Sequence, residues 1–233
     1  MIIIAITAGV FFLFLINYFN QENRILRPLK KLPRNRVGSL RTNSFSKISG
    51  KALNINSPLI APLSKRKCVF YKITIKQRVQ SGKHSRWKTL IKEENIQDFF
   101  IEQNEERVIV LLNKEHRNYT NYLVTDKTVR SGTFNDPSPE FSRVLKLYNI
   151  NSETIFGFNK QLKYEEAIIE VGEYITVAGK VKWMELDNHI KDYSYSSIVS
   201  LNGDTNKNKL IITDSPRAID KKKKLQSFPI LSF

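Results

Sequence analysis

The sequence predicts a mainly β protein of the α+β class, in which an N-terminal transmembrane helix precedes a β-rich domain with one short amphipathic helix. Three observations predict this class. The first twenty residues contain no charged side chain. From residue 69 to residue 213, short stretches of alternating or uniformly apolar residues recur, as they do in strands, and a single segment has helical spacing instead. At 233 residues the chain has room for the anchor and one domain, and a small barrel is one arrangement open to that domain.

Residues 1–20, MIIIAITAGVFFLFLINYFN, form an apolar run of the length that a membrane-spanning helix needs, about 20 residues. A cleaved secretory signal would begin with positive charge and end in small residues. Here no Lys or Arg precedes the run, and Tyr18 and Phe19 stand near its end. We therefore predict a transmembrane anchor. We expect a single-pass protein of a bacterial inner membrane. Because basic residues follow the span and none precede it, the positive-inside rule places its domain in the cytoplasm.

Residues 21–47 are predicted to form a basic juxtamembrane linker, since Pro28, Pro33 and Gly38 interrupt them and apolar periodicity is weak. Residues 1–92 contain 19 basic residues and 1 acidic residue, whereas residues 93–233 contain 19 basic and 21 acidic residues. Anionic lipid headgroups favour each nearby Lys or Arg by ~1 kcal/mol. Nucleic acid would favour the same charges, but a membrane tether disfavours that partner. A general surplus of surface lysines is the third explanation.

The β-rich domain is predicted over residues 48–215. Alternating apolar and polar residues from Val69 to Val79 predict a strand, and the loop Gln80–Ser85 leads to a partner strand. Residues 113–136, which follow a second predicted hairpin over residues 99–112, are polar and expected to be irregular. The further strands expected are Trp87–Lys92, Phe99–Glu102, Arg107–Leu112, Ala167–Glu170, Tyr174–Val181, and a last hairpin of Ser197–Leu201 and Leu210–Thr213 with its turn at Asn202-Gly203.

The one helix of the domain is predicted to begin at Ser138-Pro139-Glu140. Ser is a favoured N-cap, Pro suits the first turn, and a carboxylate stabilises the positive end of the helix dipole. Apolar residues then recur at helical spacing at Phe141, Val144, Leu145 and Tyr148. After the domain, residues 216–233 are predicted to form a basic and apolar tail, which is either solvated or rests at the membrane interface.

The residues that could support catalysis or metal binding form no recognisable constellation. The single cysteine, Cys68, excludes a disulfide and a Cys-based zinc site and is expected to be a small buried residue. His84, His116 and His189 lack metal-ligand spacing. Glu165, Glu166, Glu170 and Glu173 could suggest carboxylate chemistry, but we expect solvent-facing charges or partners for the basic half. No phosphate loop or nucleophile elbow is present, so we predict no enzyme activity, no cofactor and no metal.

Aromatic and basic residues interleave on the first predicted hairpin. Such a mixture could bind lipid headgroups, stack bases, or reflect ordinary strand packing with a lysine-rich solvent face. Together with the linker cations, it provides the candidate contacts for a membrane surface or a membrane-bound protein partner. These candidates are Arg24, Arg27, Lys30, Lys31, Arg34, Arg36, Lys76, Arg78, Arg86, Trp87 and Lys88.

Two stretches resemble a known family. Ile48–Ile75 reads ISGKALNINSPLIAPLSKRKCVFYKITI, and Tyr164–Lys180 reads YEEAIIEVGEYITVAGK. Their order and spacing are similar to the GIDE domain, also called BAM for "beside a membrane". That domain occurs in mitochondrial membrane-anchored ubiquitin ligases and in uncharacterised bacterial membrane proteins. The resemblance implies a β-rich domain next to a membrane and a ubiquitin-ligase or accessory role as one possible function.

The resemblance has three departures. The ligases carry a zinc-binding RING finger, and with one cysteine no RING residue can be carried over. Many members have a second membrane span after the domain, where this chain has its short tail. The family's Asp-x-x-Gly turn is replaced by Gln103-Asn104-Glu105-Glu106. The ligases' domain also faces the intermembrane space, whereas the charges here favour the cytoplasm. The sequence therefore predicts a membrane-anchored, non-catalytic binding or scaffold module at an anionic membrane surface.

Overall fold

A computed structural model describes Phe12 and residues 20–33, 35–113, 117–154, 157–185, 197–203 and 208–218. Two α-helices, one short 3-10 helix (Val37–Ser39) and twelve strands lie in residues 20–218 of this part of the chain. The helices are α1 (Gln21–Lys31) and α2 (Pro139–Leu147). The strands are β1 (Phe45–Asn54), β2 (Leu59–Ile60), β3 (Lys67–Ser81), β4 (His84–Ile96), β5 (Phe99–Gln103), β6 (Glu106–Val110), β7 (Tyr119–Tyr122), β8 (Lys127–Ser131), β9 (Leu162–Glu170), β10 (Tyr174–Glu185), β11 (Ser197–Asn202) and β12 (Leu210–Thr213).

The chain divides into two units, each assembled from separate stretches of sequence. The first unit takes the described parts of residues 1–51, 100–123 and 174–233. The second unit takes those of residues 52–99 and 124–173. We predicted one uninterrupted domain over residues 48–215. Alternation along the chain does not show which distant strands share a sheet, and so this division could not be seen in the sequence.

The first unit is built on a closed ring of strands. Its seven-stranded sheet has the order β1-β5-β6-β11-β10-β12-β7, and β1 also pairs with β10 from Phe45↔Lys180 to Lys51↔Tyr174. The five strands β1, β5, β6, β11 and β10 therefore close on themselves, which confirms the barrel-like expectation. Gly50 permits this closure, because a Cβ at that position would collide with the carbonyl oxygen of Glu102.

Helix α1 replaces part of the predicted linker, and that prediction is wrong for residues 21–31. The Asn20 side chain caps the helix by accepting from the backbone N–H of Glu22 at 3.1 Å. Ile25 and Leu29 are buried against Ala178 and Ile211 of the first unit. The dense basic residues between these apolar positions, and Pro28 within the helix, hid the helical spacing from sequence reasoning. β1 also begins at Phe45, before the boundary expected at residue 48.

The second unit is a five-stranded sheet with the order β2-β3-β9-β8, and β4 pairs with β3. Helix α2 supplies part of its core, because Phe141, Val144 and Leu145 are buried against this sheet's apolar residues. The ring centroids of Phe141 and Tyr164 lie 6.1 Å apart. As predicted, Ser138 caps α2, with its Oγ accepting from the Phe141 N–H at 3.3 Å.

The first two predicted hairpins are confirmed as β3–β4 and β5–β6, and β9 and β10 are present around Gly172. Two other expectations are wrong. β7 and β8 lie in the stretch expected to be irregular. β11 and β12 are not partners: β11 pairs with β6 and β10, and β12 pairs with β7 and β10. All four residues of β12 are buried, as suits a strand with a neighbour on each side.

Among the described residues, no helix has the length and apolar character needed to cross a bilayer. The predicted anchor, apart from Phe12 and Asn20, lies outside the described residues. So do Arg34 and the tail beyond residue 218.

Candidate functional site

The candidate site with the clearest geometry is the end of the β3–β4 hairpin, in the second unit. Pairing of β3 with β9 ends at Gln77↔Leu162, whereas pairing with β4 continues to Ser81↔His84. Residues 78–88, here called the hairpin arm, therefore extend past the sheet as a two-stranded ribbon. A bulge precedes the arm, because Ile75 pairs with Ile91 and Lys76 with Thr89. A bulge increases the local twist and turns a ribbon away from its sheet.

The arm carries positive charge without acidic neighbours along the chain. Residues 76–92 contain six Lys or Arg and no Asp or Glu. The described side chains from residue 82 to residue 89 are all exposed, and they include Lys83, Arg86 and Lys88. Gly82 forms the turn at φ +61° with open space around it. The predicted contacts Arg86, Trp87 and Lys88 are thus brought together on one exposed element.

Two predicted contacts at the base of the arm interact within the protein instead. Lys76 Nζ lies 2.7 Å from Glu165 Oε2. Arg78 Nε donates to Ser85 Oγ at 2.9 Å, and its Nη1 donates to Gln161 Oε1 at 3.4 Å. These contacts fix the base of the arm on the sheet. They leave Arg86 and Lys88 as the better candidates for contact with a partner.

Trp87 is 42 % exposed and makes a cation–π contact that sequence reasoning missed. Lys163 Nζ lies 5.7 Å from the centroid of its ring, and the same ammonium forms an ion pair with Glu165. The contact fixes the indole and occupies one of its faces. Lys163 belongs to β9, and no local signal in the sequence places it beside Trp87.

The other predicted contacts belong to the first unit and lie on or after α1. Arg24, Lys30, Lys31 and Arg36 are exposed and Arg27 is half-buried. Lys47 Nζ donates to the carbonyl oxygen of Leu29 at 3.0 Å near the end of the helix. A cleft of ≈ 500 Å³ opens beside this end and is lined by Pro28, Lys31, Leu32, Phe45, Thr120, Asn208, Lys209 and Ile211.

A buried carboxylate lies at the centre of the second unit. Glu166 is 0 % exposed, so the expectation of a solvent-facing charge is wrong for this residue. Its oxygens accept from the backbone N–H groups of Leu63 at 2.9 Å and Ser64 at 3.1 Å, and from the Tyr164 hydroxyl at 2.8 Å. Three donors compensate the cost of burying the charge. The two stretches that carry the family resemblance meet at this carboxylate.

Of the other glutamates, Glu165 and Glu170 pair with cations of the basic half, which is one of the two roles expected from the sequence, whereas Glu173 accepts from a backbone amide. Glu165 pairs with Lys76, and Glu170 Oε2 lies 3.2 Å from Arg66 Nη1. Glu173 Oε2 accepts from the Glu170 N–H at 2.8 Å. Arg66 also lies 3.4 Å from Asp126. These contacts bind the β2–β3 turn to the edges of β8 and β9.

The thiol of Cys68 and the hydroxyls of Tyr71, Tyr148 and Tyr164 stay protonated at neutral pH. Burial, followed by the charge of Glu166, raises the pKa of the Cys68 thiol to about 12. Burial and the nearby Glu166 also raise the pKa of Tyr164. Burial and hydrogen bonds to Glu93 raise the pKa of Tyr71 and Tyr148, whose hydroxyls each donate to that carboxylate at 2.6 Å. None of these four groups is activated as a base or nucleophile.

Within the described residues, no group of three or more His, Cys, Asp or Glu side chains could hold a metal ion. His84 is exposed at the turn of the arm, and His116 and His189 lie outside the described residues. Comparisons with known proteins found no matching family model, no similar curated protein and no similar solved structure.

Proposed function

We propose that this chain is a membrane-anchored, non-catalytic binding module whose hairpin arm contacts an anionic lipid surface. One observation carries the proposal: an exposed, twisted ribbon presents Lys83, Arg86 and Lys88 beyond the edge of its sheet. Each cation near an anionic surface contributes ~1 kcal/mol. Three of them would therefore increase binding about a hundredfold at low salt.

Trp87 supports a lipid surface over nucleic acid. An indole with one exposed part and one packed part suits the headgroup region of a bilayer, where Trp is enriched. Stacking of bases requires open ring faces, and Lys163 already occupies one face of Trp87. A membrane-bound protein with an acidic surface is the partner that the same charges would fit next.

The cations of α1 add to the proposal through chain connectivity. Arg24 follows the predicted anchor by four residues, so even an extended chain keeps it within about 15 Å of the end of the span. Arg24, Lys30 and Lys31 are exposed. We place the anchor at residues 1–20 in an inner membrane, with the domain in the cytoplasm, where the inner leaflet supplies anionic headgroups.

The test is sedimentation with lipid vesicles of a segment that begins at Asn20, which retains α1 and its cap. Binding to acidic vesicles should exceed binding to neutral ones and should weaken as salt rises through screening. The triple variant Lys83→Glu, Arg86→Glu, Lys88→Glu should lose about a hundredfold or more in affinity. Equal binding to acidic and neutral vesicles at low salt would contradict the proposal.

The matched control has the same change in net charge elsewhere on the second unit: Lys65→Glu, Lys127→Glu, Lys146→Glu. These three side chains are exposed and lie outside the arm. The control should retain most of the affinity, because the three replaced side chains belong to neither the arm nor α1. If both triple variants lose the same affinity, binding follows overall charge, and the role of the arm is wrong.

The family resemblance suggests a ubiquitin-ligase or accessory role instead. We propose no ubiquitin transfer by this chain, since the ligases recruit their conjugating enzyme through the RING finger whose zinc ligands the sequence does not contain. Ubiquitin transfer by the purified chain with activating and conjugating enzymes would overturn this.

A further inference from the structure

Two phenylalanines stand exposed on the loops beside the hairpin arm. Phe134 is 101 % exposed at the tip of a turn in which Gly132 and Asn135 exchange backbone hydrogen bonds of 2.9 Å. Phe158 is 60 % exposed. Its N–H donates to Thr154 Oγ1 at 3.1 Å, and its carbonyl oxygen accepts from the Thr154 N–H at 2.7 Å. Both aromatic rings are therefore presented by hydrogen-bonded turns.

The two turns contact each other at the end of the sheet from which the arm extends. Ser131 Oγ donates to the carbonyl oxygen of Lys160 at 3.3 Å, and Asn159 Nδ2 donates to Asp136 Oδ1. β8 ends at Ser131, which pairs with Leu162, and Leu162 pairs with Gln77 at the base of the arm. The Arg78 N–H donates to the carbonyl oxygen of Gln161 at 2.9 Å. Loops and arm thus share one end of the second unit.

A phenylalanine is unusual at a turn, because turn positions favour Gly, Pro, Asn, Asp and Ser. An exposed phenylalanine also contributes no hydrophobic stabilisation to the fold. Apolar side chains exposed within a polar rim mark interaction sites. The rim here includes Arg78, Arg130 and Lys160, together with the acidic Asp136 and Glu153. The arm adds its cations to that rim. Two convex apolar tips with a basic surround fit a fluid anionic interface, which needs no matching pocket.

We infer that Phe134 and Phe158 insert into the interfacial region of an anionic bilayer when the arm docks on its headgroups. The inference rests on the proposed function, because the same end of the second unit must face the membrane. The arm supplies charge attraction, and the two rings supply apolar anchoring beneath the headgroups. The end of the sheet is then held by both kinds of contact.

The experiment uses the full chain in lipid nanodiscs with an environment-sensitive fluorophore on one introduced cysteine. The native Cys68 is buried, and so labelling is selective for the new site. Phe134→Cys, Phe158→Cys and Lys83→Cys place the probe on each loop and on the arm. Ile60→Cys is the matched control: Ile60 is 48 % exposed but pairs with Lys67 at the other end of β3.

In nanodiscs containing anionic lipid, both loop probes should shift their emission to the blue and be quenched by lipids spin-labelled on the acyl chain. The arm probe should be quenched by lipids spin-labelled at the headgroup, and the Ile60 probe by neither. Thermal unfolding of each variant confirms that it folds.

The insertion of the phenylalanines and the proposed role of the arm can be refuted separately. Contact at the arm probe with both loop probes in water overturns the insertion of the phenylalanines and retains the proposed function. Insertion of the loops without headgroup contact at the arm retains the insertion of the phenylalanines but overturns the role of the arm, and with it the proposed function. If no probe senses lipid, both are wrong, and an acidic protein surface becomes the partner to test.

Discussion

Replacing Glu166 with Gln tests whether the buried carboxylate fixes the turn between β2 and β3. An amide retains one acceptor oxygen but presents an NH₂ group to donors, so at least one hydrogen bond from Leu63, Ser64 or Tyr164 is lost. A buried donor left without an acceptor costs about 1–3 kcal/mol. One hydrogen bond is lost, and the new NH₂ group faces the donor that made it. We therefore expect the free energy of unfolding of the second unit to fall by about 2–3 kcal/mol.

The assay is limited proteolysis with trypsin, which cleaves after Lys65 and Arg66 in that turn. A loss of 2–3 kcal/mol would increase local opening, and with it the cleavage rate, by about 30- to 150-fold. Hydrogen exchange at the Leu63 and Ser64 amides should accelerate by a similar factor, because local opening of the turn exposes both N–H groups to solvent.

Glu165→Gln is the matched control, since this neighbour in the same strand makes half-exposed ion pairs with Lys76 and Lys163. Such pairs contribute about 0–1 kcal/mol, and cleavage in the turn should stay within a few-fold of the wild-type rate. Cleavage and exchange in Glu166→Gln that match those of the control would refute the reasoning, because the carboxylate would then not hold the turn.

Three further predictions follow from the structure and the sequence. Because the pKa of Cys68 rises from 9.0 to about 12, the folded chain at pH 8 should react with a thiol reagent at least about a thousandfold more slowly than the urea-unfolded chain; similar rates would contradict the burial. Gly50→Ala should destabilise the first unit by about 1–3 kcal/mol, because the new methyl group meets the Glu102 carbonyl oxygen, and a thermal melt unchanged from wild type would show that β1 and β5 can separate freely. A reporter fused after Phe233 should be active only in the cytoplasm if the positive-inside rule governs insertion, and activity of an export-dependent reporter would reverse that orientation.

Local patterns predicted the elements whose partners are close in sequence. The alternation from Val69 to Val79 is followed within a few residues by its partner strand, so β3–β4 could be predicted from the sequence. β7 and β8, with the sequences YTNY and KTVRS, have little apolar character of their own. β7 pairs in parallel with β12, from Tyr119↔Leu210 to Tyr122↔Thr213, and no local signal indicates a partner about 90 residues away.

The candidate site was predictable to a similar extent. Arg86, Trp87 and Lys88 were found because charge and aromatic residues interleave along one hairpin. The burial of Glu166 was missed because the adjacent glutamates look alike in sequence, although successive side chains of a strand point to opposite faces. Phe134 and Phe158 had a signal that was not used: each stands in a stretch rich in Gly, Asn and Thr, where turn chemistry favours a polar side chain.

The pairing of β1 with β10 sets an order of events during synthesis. β1 emerges from the ribosome more than 120 residues before its partner, since Lys51 pairs with Tyr174 and Phe45 with Lys180. At about 5–20 residues per second, that interval is roughly 6–25 s. The second unit has all of its sequence by residue 173 and can fold first. Through that time β1 lacks its β10 partner, and the edge that β10 will cover is open to pairing with other chains. Chaperone demand should therefore peak before β10 is made.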